Sequence, residues 1–379
     1  MLSPDIIVFI SFIAVVAIIV YWDRKKIQFS GIFMMRRTKR GLRLLDNSAK
    51  HLPRFWSAFS KIAVVAAVVT MIAGVLLIAY VDYSIAAGKM KIGGGFVIPY
   101  PTSEPVIGVG YVLLPVWLWI LAIPILMVPH EFAHGVISRL EKIRVKSVGW
   151  ILLLIIPGAF VEPDEKQLKK SSIMKKLKIY SVGSFANFLT ALLFFCLGFL
   201  IISTAYTIQG VNPSGLVNNS PAQSVNLSGS ILYVNNVRIL SPENISYALG
   251  NVSIGQNITV TTTTGVYNIT TMKHPEADRA FIGLQSPYEP YVGVKQELSG
   301  YAGSIEFLLF LFQWLFTLTF SIGLVNLLPI KPLDGGLIFE AITGKFVKNE
   351  SAVKKIVITV TLLMILMLGF FIFGGFLVK

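Results

Sequence analysis

The sequence predicts a polytopic α-helical membrane protein of about six transmembrane helices, with a membrane-associated β-hairpin and a small β-containing domain outside the membrane. Three observations lead there. The chain is 54% hydrophobic and 14% charged, with a mean hydropathy of +0.72, whereas soluble domains carry about 25% charged residues. Its basic residues gather in every second loop. Residues 206–296 break the apolar pattern with a polar stretch rich in Val, Ile, Thr, Asn, Gly and Ser.

A helix needs roughly 20 apolar residues to cross a hydrocarbon core about 30 Å thick. Six runs qualify: Ile6 to Trp22, Ile62 to Val81, Tyr111 to about Ile137, Tyr180 to about Thr204, about Ile305 to Leu328, and Val357 to about Phe376. In the first, the basic cluster follows the apolar run and no small-residue cleavage site is evident, so it reads as an anchor rather than a cleaved signal. Cys196 is the one cysteine and lies in an apolar run, so no intrachain disulfide is available.

The net charge of +14 would admit a nucleic-acid partner, but the placement of the cations argues for the lipid bilayer instead. Of 33 Lys and Arg, 26 fall in residues 23–61, 139–178 and 331–355. That is the positive-inside pattern, which predicts these loops on the cytoplasmic side and both termini outside. The stretch from Arg24 to Arg54 is expected to touch anionic headgroups as well.

Residues 82–110, with Gly93, Gly94, Gly95, Pro99, Pro101 and Pro105, read as an outer loop without a readable function. Val148 to Val161 is apolar but too short to span, and its Pro157-Gly158 pair predicts the turn of a hairpin or re-entrant segment. Such a piece must pack on protein or line a wet cavity. The alternative is an amphipathic element at the interface. In residues 206–296, the runs Ile231 to Val234, Ile258 to Thr263 and Val266 to Thr271 predict strands. Sequons at Asn218, Asn226, Asn244, Asn251, Asn257 and Asn268 agree with an external location.

Chemistry concentrates in His130-Glu131-Phe132-Ala133-His134. On a helix the two imidazoles lie on one face, about 6 Å apart along the axis, and can reach one cation. Glu131 sits about 100° around, close enough to act on a metal-activated water without being a ligand. The alternative for the bare pattern is a histidine pair hydrogen-bonded inside a bundle. A carboxylate and two imidazoles at membrane depth cost several kcal/mol, which favours a functional metal site. His130 lies roughly 13 Å above Arg139, within the cytoplasmic leaflet.

Zinc ordinarily takes three protein ligands plus water. The third candidate is Asp334, in Asn326-Leu327-Leu328-Pro329-Ile330-Lys331-Pro332-Leu333-Asp334-Gly335-Gly336, where Pro329, Pro332 and the glycine pair are expected to break the fifth span and turn the aspartate inward. Its plainer reading is a loop acid after a helix stop. Asp82, Glu162 and Asp164 are weaker candidates, at or beyond the membrane boundaries.

HEFAH in one span, Gly183-Ser184-Phe185-Ala186-Asn187 in the next and the Asn326 to Gly336 segment in a later one together resemble the site-2 protease family of intramembrane zinc metalloproteases, over about Pro115 to Gly336. The resemblance implies that His130, His134 and Asp334 bind Zn2+, and that Glu131 is the general base. It implies that Asn326 helps hold substrate or the developing oxyanion, and that Asn187 lies close to the active site. Helix packing is the alternative for both asparagines, as it is the reading for Gly183. Gly210-Val211, Ser220-Pro221-Ala222 and Gly229-Ser230-Ile231-Leu232-Tyr233-Val234-Asn235-Asn236 resemble the family's PDZ-like α+β inserts, with Ser230 and Asn236 replacing the usual Asp and Gly.

The expected activity is hydrolysis of peptide bonds in or near transmembrane segments of membrane-anchored proteins, that is, regulated intramembrane proteolysis. The expected division is 1–81 (two helices and a basic loop), 82–205 (first part of the catalytic core), 206–296 (PDZ-like domain, extracytoplasmic) and 297–379 (second part and last helix). An ion-coupled transporter using His130, Glu131 and Asp334 as a proton relay is the alternative from another class, and the lack of an inverted repeat counts against it. A catalytically inactive PDZ-type adaptor is the second.

Overall fold

In the computed structural model, which describes residues 4–30, 33–91, 93–153 and 156–377, six helices are long and apolar enough to cross a membrane: Pro4–Asp23, Pro53–Ala86, Val116–Leu140, Ile173–Ala205, Gln296–Asn326 and Glu350–Phe376. Most extend beyond the predicted runs because a helix continues through polar residues at the bilayer surface, where hydropathy fades but propensity does not. The chain divides into two compact units, residues 1–196 with 311–379, and residues 197–310.

In the first unit, the third span starts at Val116 rather than Tyr111. Tyr111–Pro115 is instead the central strand of a three-stranded sheet, parallel to Phe96–Tyr100 and antiparallel to Val106–Gly108. Residues 82–110 are therefore not simply an outer loop. Gly95 permits the sheet's close approach, since a Cβ there would lie 2.7 Å from the Tyr111 amide. Inside the third span, Pro129 has no N–H to give the Ile125 carbonyl, which loosens the turn that carries His130.

The apolar segment after that span is a hairpin, Val145–Leu153 antiparallel to Ile156–Pro163. Its turn is not at Pro157-Gly158: Pro157 faces Leu152 and Gly158 faces Ile151, inside the second strand. Residues 154–155, between the two strands, lie outside the described residues. A proline is tolerated there because Ile156–Pro163 is an edge strand, with no ladder partner on one side. The basic loop of residues 23–61 supplies two more strands, Ile27–Ser30 and Phe33–Thr38, the latter pairing with Val145–Leu153 to complete a four-stranded sheet. The edge strand packs along the third span. Helix Leu42–His51 buries Leu45 and Ala49 against Val136 and Val145.

In the second unit, strands run in the spatial order Val266–Thr270, Asn257–Thr262, Ile231–Val234, Tyr206–Leu216, Leu284–Val294, with Val237–Arg238 beside Ile231–Val234. Two short helices, Pro221–Ser224 and Pro242–Gly250, accompany them. Alternation places Ile258 and Val260 inside with Ile231, Val234, Ile239 and Ile269, a closed apolar core. Ser220 caps Pro221–Ser224 by accepting the Gln223 N–H.

Candidate metal centre

His130 and His134 occupy adjacent turns of the third span, and their Nε2 atoms stand 3.1 Å apart. Asp334 Oδ2 lies 3.5 Å from His130 Nε2 and 3.3 Å from His134 Nε2. Donor atoms about 2.0–2.1 Å from a tetrahedral zinc ion are about 3.4 Å apart. The three observed separations bracket that value, so one ion fits among the three atoms with little rearrangement. Asp334 Oδ2 is buried and makes no hydrogen bond, as expected of an oxygen facing a cation's position.

The fifth span ends at Asn326, and the chain turns before a separate helix, Asp334–Phe346, begins at the aspartate. The glycine pair does not break the span as expected. Both glycines sit in the first turn of this new helix, where a Cβ on Gly335 would lie 2.1 Å from the Leu327 carbonyl oxygen and one on Gly336 2.5 Å from Lys331 N. Their role is contact between backbones, which presses Asp334 toward the histidines.

The fourth span, Ile173–Ala205, holds the imidazoles from behind. His134 Nδ1 is 2.6 Å from the Ile179 carbonyl. A carbonyl only accepts, so Nδ1 carries the proton and Nε2 turns its lone pair into the space it shares with His130 Nε2 and Asp334 Oδ2. Asn187 is buried with its amide nitrogen 3.2 Å from His130 Nδ1 and its Oδ1 without a partner. Gly183 makes this approach feasible: a Cβ there would stand 2.2 Å from His134 Nε2 and 2.6 Å from His130 Nε2. The GxxxN spacing signals this approach, but the Ile179 carbonyl carries no side-chain signature.

Glu131 turns toward the hairpin, where its Oε2 accepts the Val161 N–H at 2.8 Å. No sequence signal identifies that backbone partner. Asn326 makes no hydrogen bond to His130, Glu131, His134 or Asp334 among the described residues. The weaker candidates lie outside the cluster. Asp164 caps the helix Glu165–Lys170, and the Gln167 and Lys166 N–H groups hold its carboxyl below the usual range. Glu162 accepts from Ser147 at 2.5 Å and from Arg37 at 3.1 Å, and these donors likewise lower its pKa. Asp82 belongs to the helix Pro53–Ala86.

Comparison with known proteins supplies the family. The profile described as Peptidase family M50 matches residues 118–368. An uncharacterized protein of Methanocaldococcus jannaschii is 26% identical over 333 residues, covering 86% of this chain and 83% of its own. A protein of Clostridium acetobutylicum whose name proposes a zinc metalloprotease is 22% identical over 321 residues, 66% of this chain and 94% of its own. The regulator of sigma-W protease RasP of Bacillus subtilis is 47% identical over 62 residues, 15% of each chain. The family match spans both the HExxH helix and Asp334, and with six apolar helices it identifies a multi-pass membrane protein: the chain belongs to peptidase family M50, the site-2 proteases, which are membrane metalloproteases.

Proposed function

We propose that this protein is an intramembrane zinc endopeptidase that cuts membrane-anchored proteins within or near their transmembrane segments, as a step of regulated intramembrane proteolysis. The observation that carries the reading is the convergence of His130 Nε2, His134 Nε2 and Asp334 Oδ2 at 3.1–3.5 Å. In this reading those three atoms hold zinc, which supplies Lewis-acid activation of water and of the scissile carbonyl. Glu131 is the general base: it takes the proton from the attacking water and delivers it to the leaving amine.

Asn187 supports His130. An imidazole that ligates through Nε2 keeps its proton on Nδ1 and needs an acceptor there. Rotating the Asn187 amide places its Oδ1 against Nδ1 as that acceptor. Asn326 is assigned to substrate or oxyanion, a contact made only with substrate bound. A transmembrane helix exposes no carbonyl until it unwinds, and the edge strand Ile156–Pro163 offers backbone partners for the unwound segment. Glu131 is already bonded to that strand at Val161, which links substrate seating to the base.

The charge distribution supports a cell-membrane location with the active site in the cytoplasmic leaflet and residues 206–296 as an extracytoplasmic PDZ-like domain. The same proposal divides the chain at 1–81, 82–205, 206–296 and 297–379. The test is cleavage of a tagged single-span protein by wild type and Glu131→Ala, with metal content measured on both. General-base removal lowers turnover by about 10²–10⁴-fold while metal stays bound. Equal cleavage by both, or none by either, removes the protease reading.

A further inference from the structure

At the end of the third span a cavity of about 330 Å³ opens between that helix, the helix Leu42–His51 and the helix Glu165–Lys170; Asp46, Lys50, Arg139, Lys142, Arg144 and Gln167 line it. Four cations face one carboxylate. Asp46 is already engaged by Arg139 at 3.2 Å, and among the described residues no carboxylate lies within ion-pair distance of Lys50, Lys142 or Arg144. Like charges converging on one space call for an anion between them.

The backbone adds a second, independent observation. Lys142 has φ 65, in the left-handed region. It closes the helix with the Ile143 N–H on the Ser138 carbonyl at 2.8 Å, a terminating turn whose left-handed residue is usually glycine. A lysine here bears strain that glycine would not, and strain of this kind gathers at ligand clamps. The setting points to the bilayer surface. Arg139 and Leu140 end a membrane span, and Leu44 on the adjoining amphipathic helix is 61% exposed beside the buried Leu45.

We propose that this cavity is a binding site for a phosphate-class anion, the phosphodiester of an anionic lipid headgroup, seated on Lys50, Lys142 and Arg144 with Arg139 held in place by Asp46. Basic recesses between membrane helices at the headgroup level recognise lipid phosphates by the same chemistry. The site is separate from the metal centre, although Arg139 lies five residues from His134 on one helix.

The full-length protein in nanodiscs of phosphatidylcholine, with or without phosphatidylglycerol, provides the test. Native mass spectrometry reads the retained lipid, and thermal unfolding in neutral detergent reads the effect of inorganic phosphate. Wild type retains phosphatidylglycerol over phosphatidylcholine. Each cation removed lowers that retention roughly fivefold, in Lys142→Gly and in Lys50→Gln with Arg144→Gln. Lys142→Gly also relieves the strained backbone, so its Tm is unchanged or higher, and lost binding cannot be lost folding. Stabilisation by inorganic phosphate that disappears in Lys142→Gly supports the same chemistry with a free anion as its source. Equal lipid retention by wild type and both variants overturns the proposal, as does an equal loss in Lys169→Gln with Lys170→Gln, which lie outside the cavity.

Discussion

Buried polar atoms are treated differently in the two units of this molecule. In residues 197–310 three buried hydroxyls are satisfied locally: Thr262 donates to the Gly265 carbonyl, Thr271 to the Ser253 carbonyl, and Ser220 accepts from Gln223. Among the described residues, the membrane unit holds buried side-chain atoms with no hydrogen-bond partner, Ser184 Oγ, Asn187 Oδ1 and Asp334 Oδ2 among them, and the other unit has none. An orphaned polar group is costly, so natural structures keep it where a ligand, a water or a reaction will use it. One unit is closed by its apolar interior. The other keeps buried polar atoms that its own side chains do not satisfy.

That contrast can be broken in either direction. The largest effect is expected from Ile231→Ala, which opens a cavity in the core of residues 197–310 and costs that unit about 2–5 kcal/mol. Limited proteolysis should show the loss there, with metal content unchanged; a fall in bound metal would mean that the second unit supports the centre directly. A smaller loss, about 10–100-fold in metal affinity, is expected when support of the proposed ligands is removed. Asn187→Leu should show it by competition with a chelator, while Asn187→Asp, which keeps an acceptor against His130 Nδ1, should restore most of it. If leucine and aspartate behave alike, Asn187 packs and does not orient. Gly183→Ala should reduce metal content in the same assay, whereas Gly250→Ala in the other unit, with nothing within 4 Å of the added methyl, should leave it unchanged.

The smallest effect concerns the hairpin. Ser147 and Arg37 depress the Glu162 pKa in the folded chain, so their stabilisation is present above the unfolded value near 4.5 and is lost as the pH falls through the folded one. Glu162→Gln should therefore lower thermal stability at neutral pH and match wild type in acid. A difference that persists below both values would place the effect elsewhere.

The spans were readable because a bilayer imposes length and hydropathy together, and the HExxH pair because i and i+4 fix one helical face. The strands Ile27–Ser30 and Phe33–Thr38 were hidden by the Arg and Lys around them, which signal topology more loudly than alternation signals a strand. Pro157-Gly158 misled as a turn because an edge strand tolerates proline on its unpaired side. The Ile179 carbonyl and the Val161 amide, which hold His134 and Glu131, belong to the backbone, and no sequence pattern marks which peptide group will meet a side chain.

The most direct test of the central claim is zinc X-ray absorption on the purified protein and on Asp334→Asn. The account predicts one zinc per wild-type chain with two imidazole nitrogens and carboxylate oxygen at about 2.0–2.1 Å, and loss or marked weakening of that zinc in the variant. An unchanged zinc content and an unchanged spectrum in Asp334→Asn would contradict it.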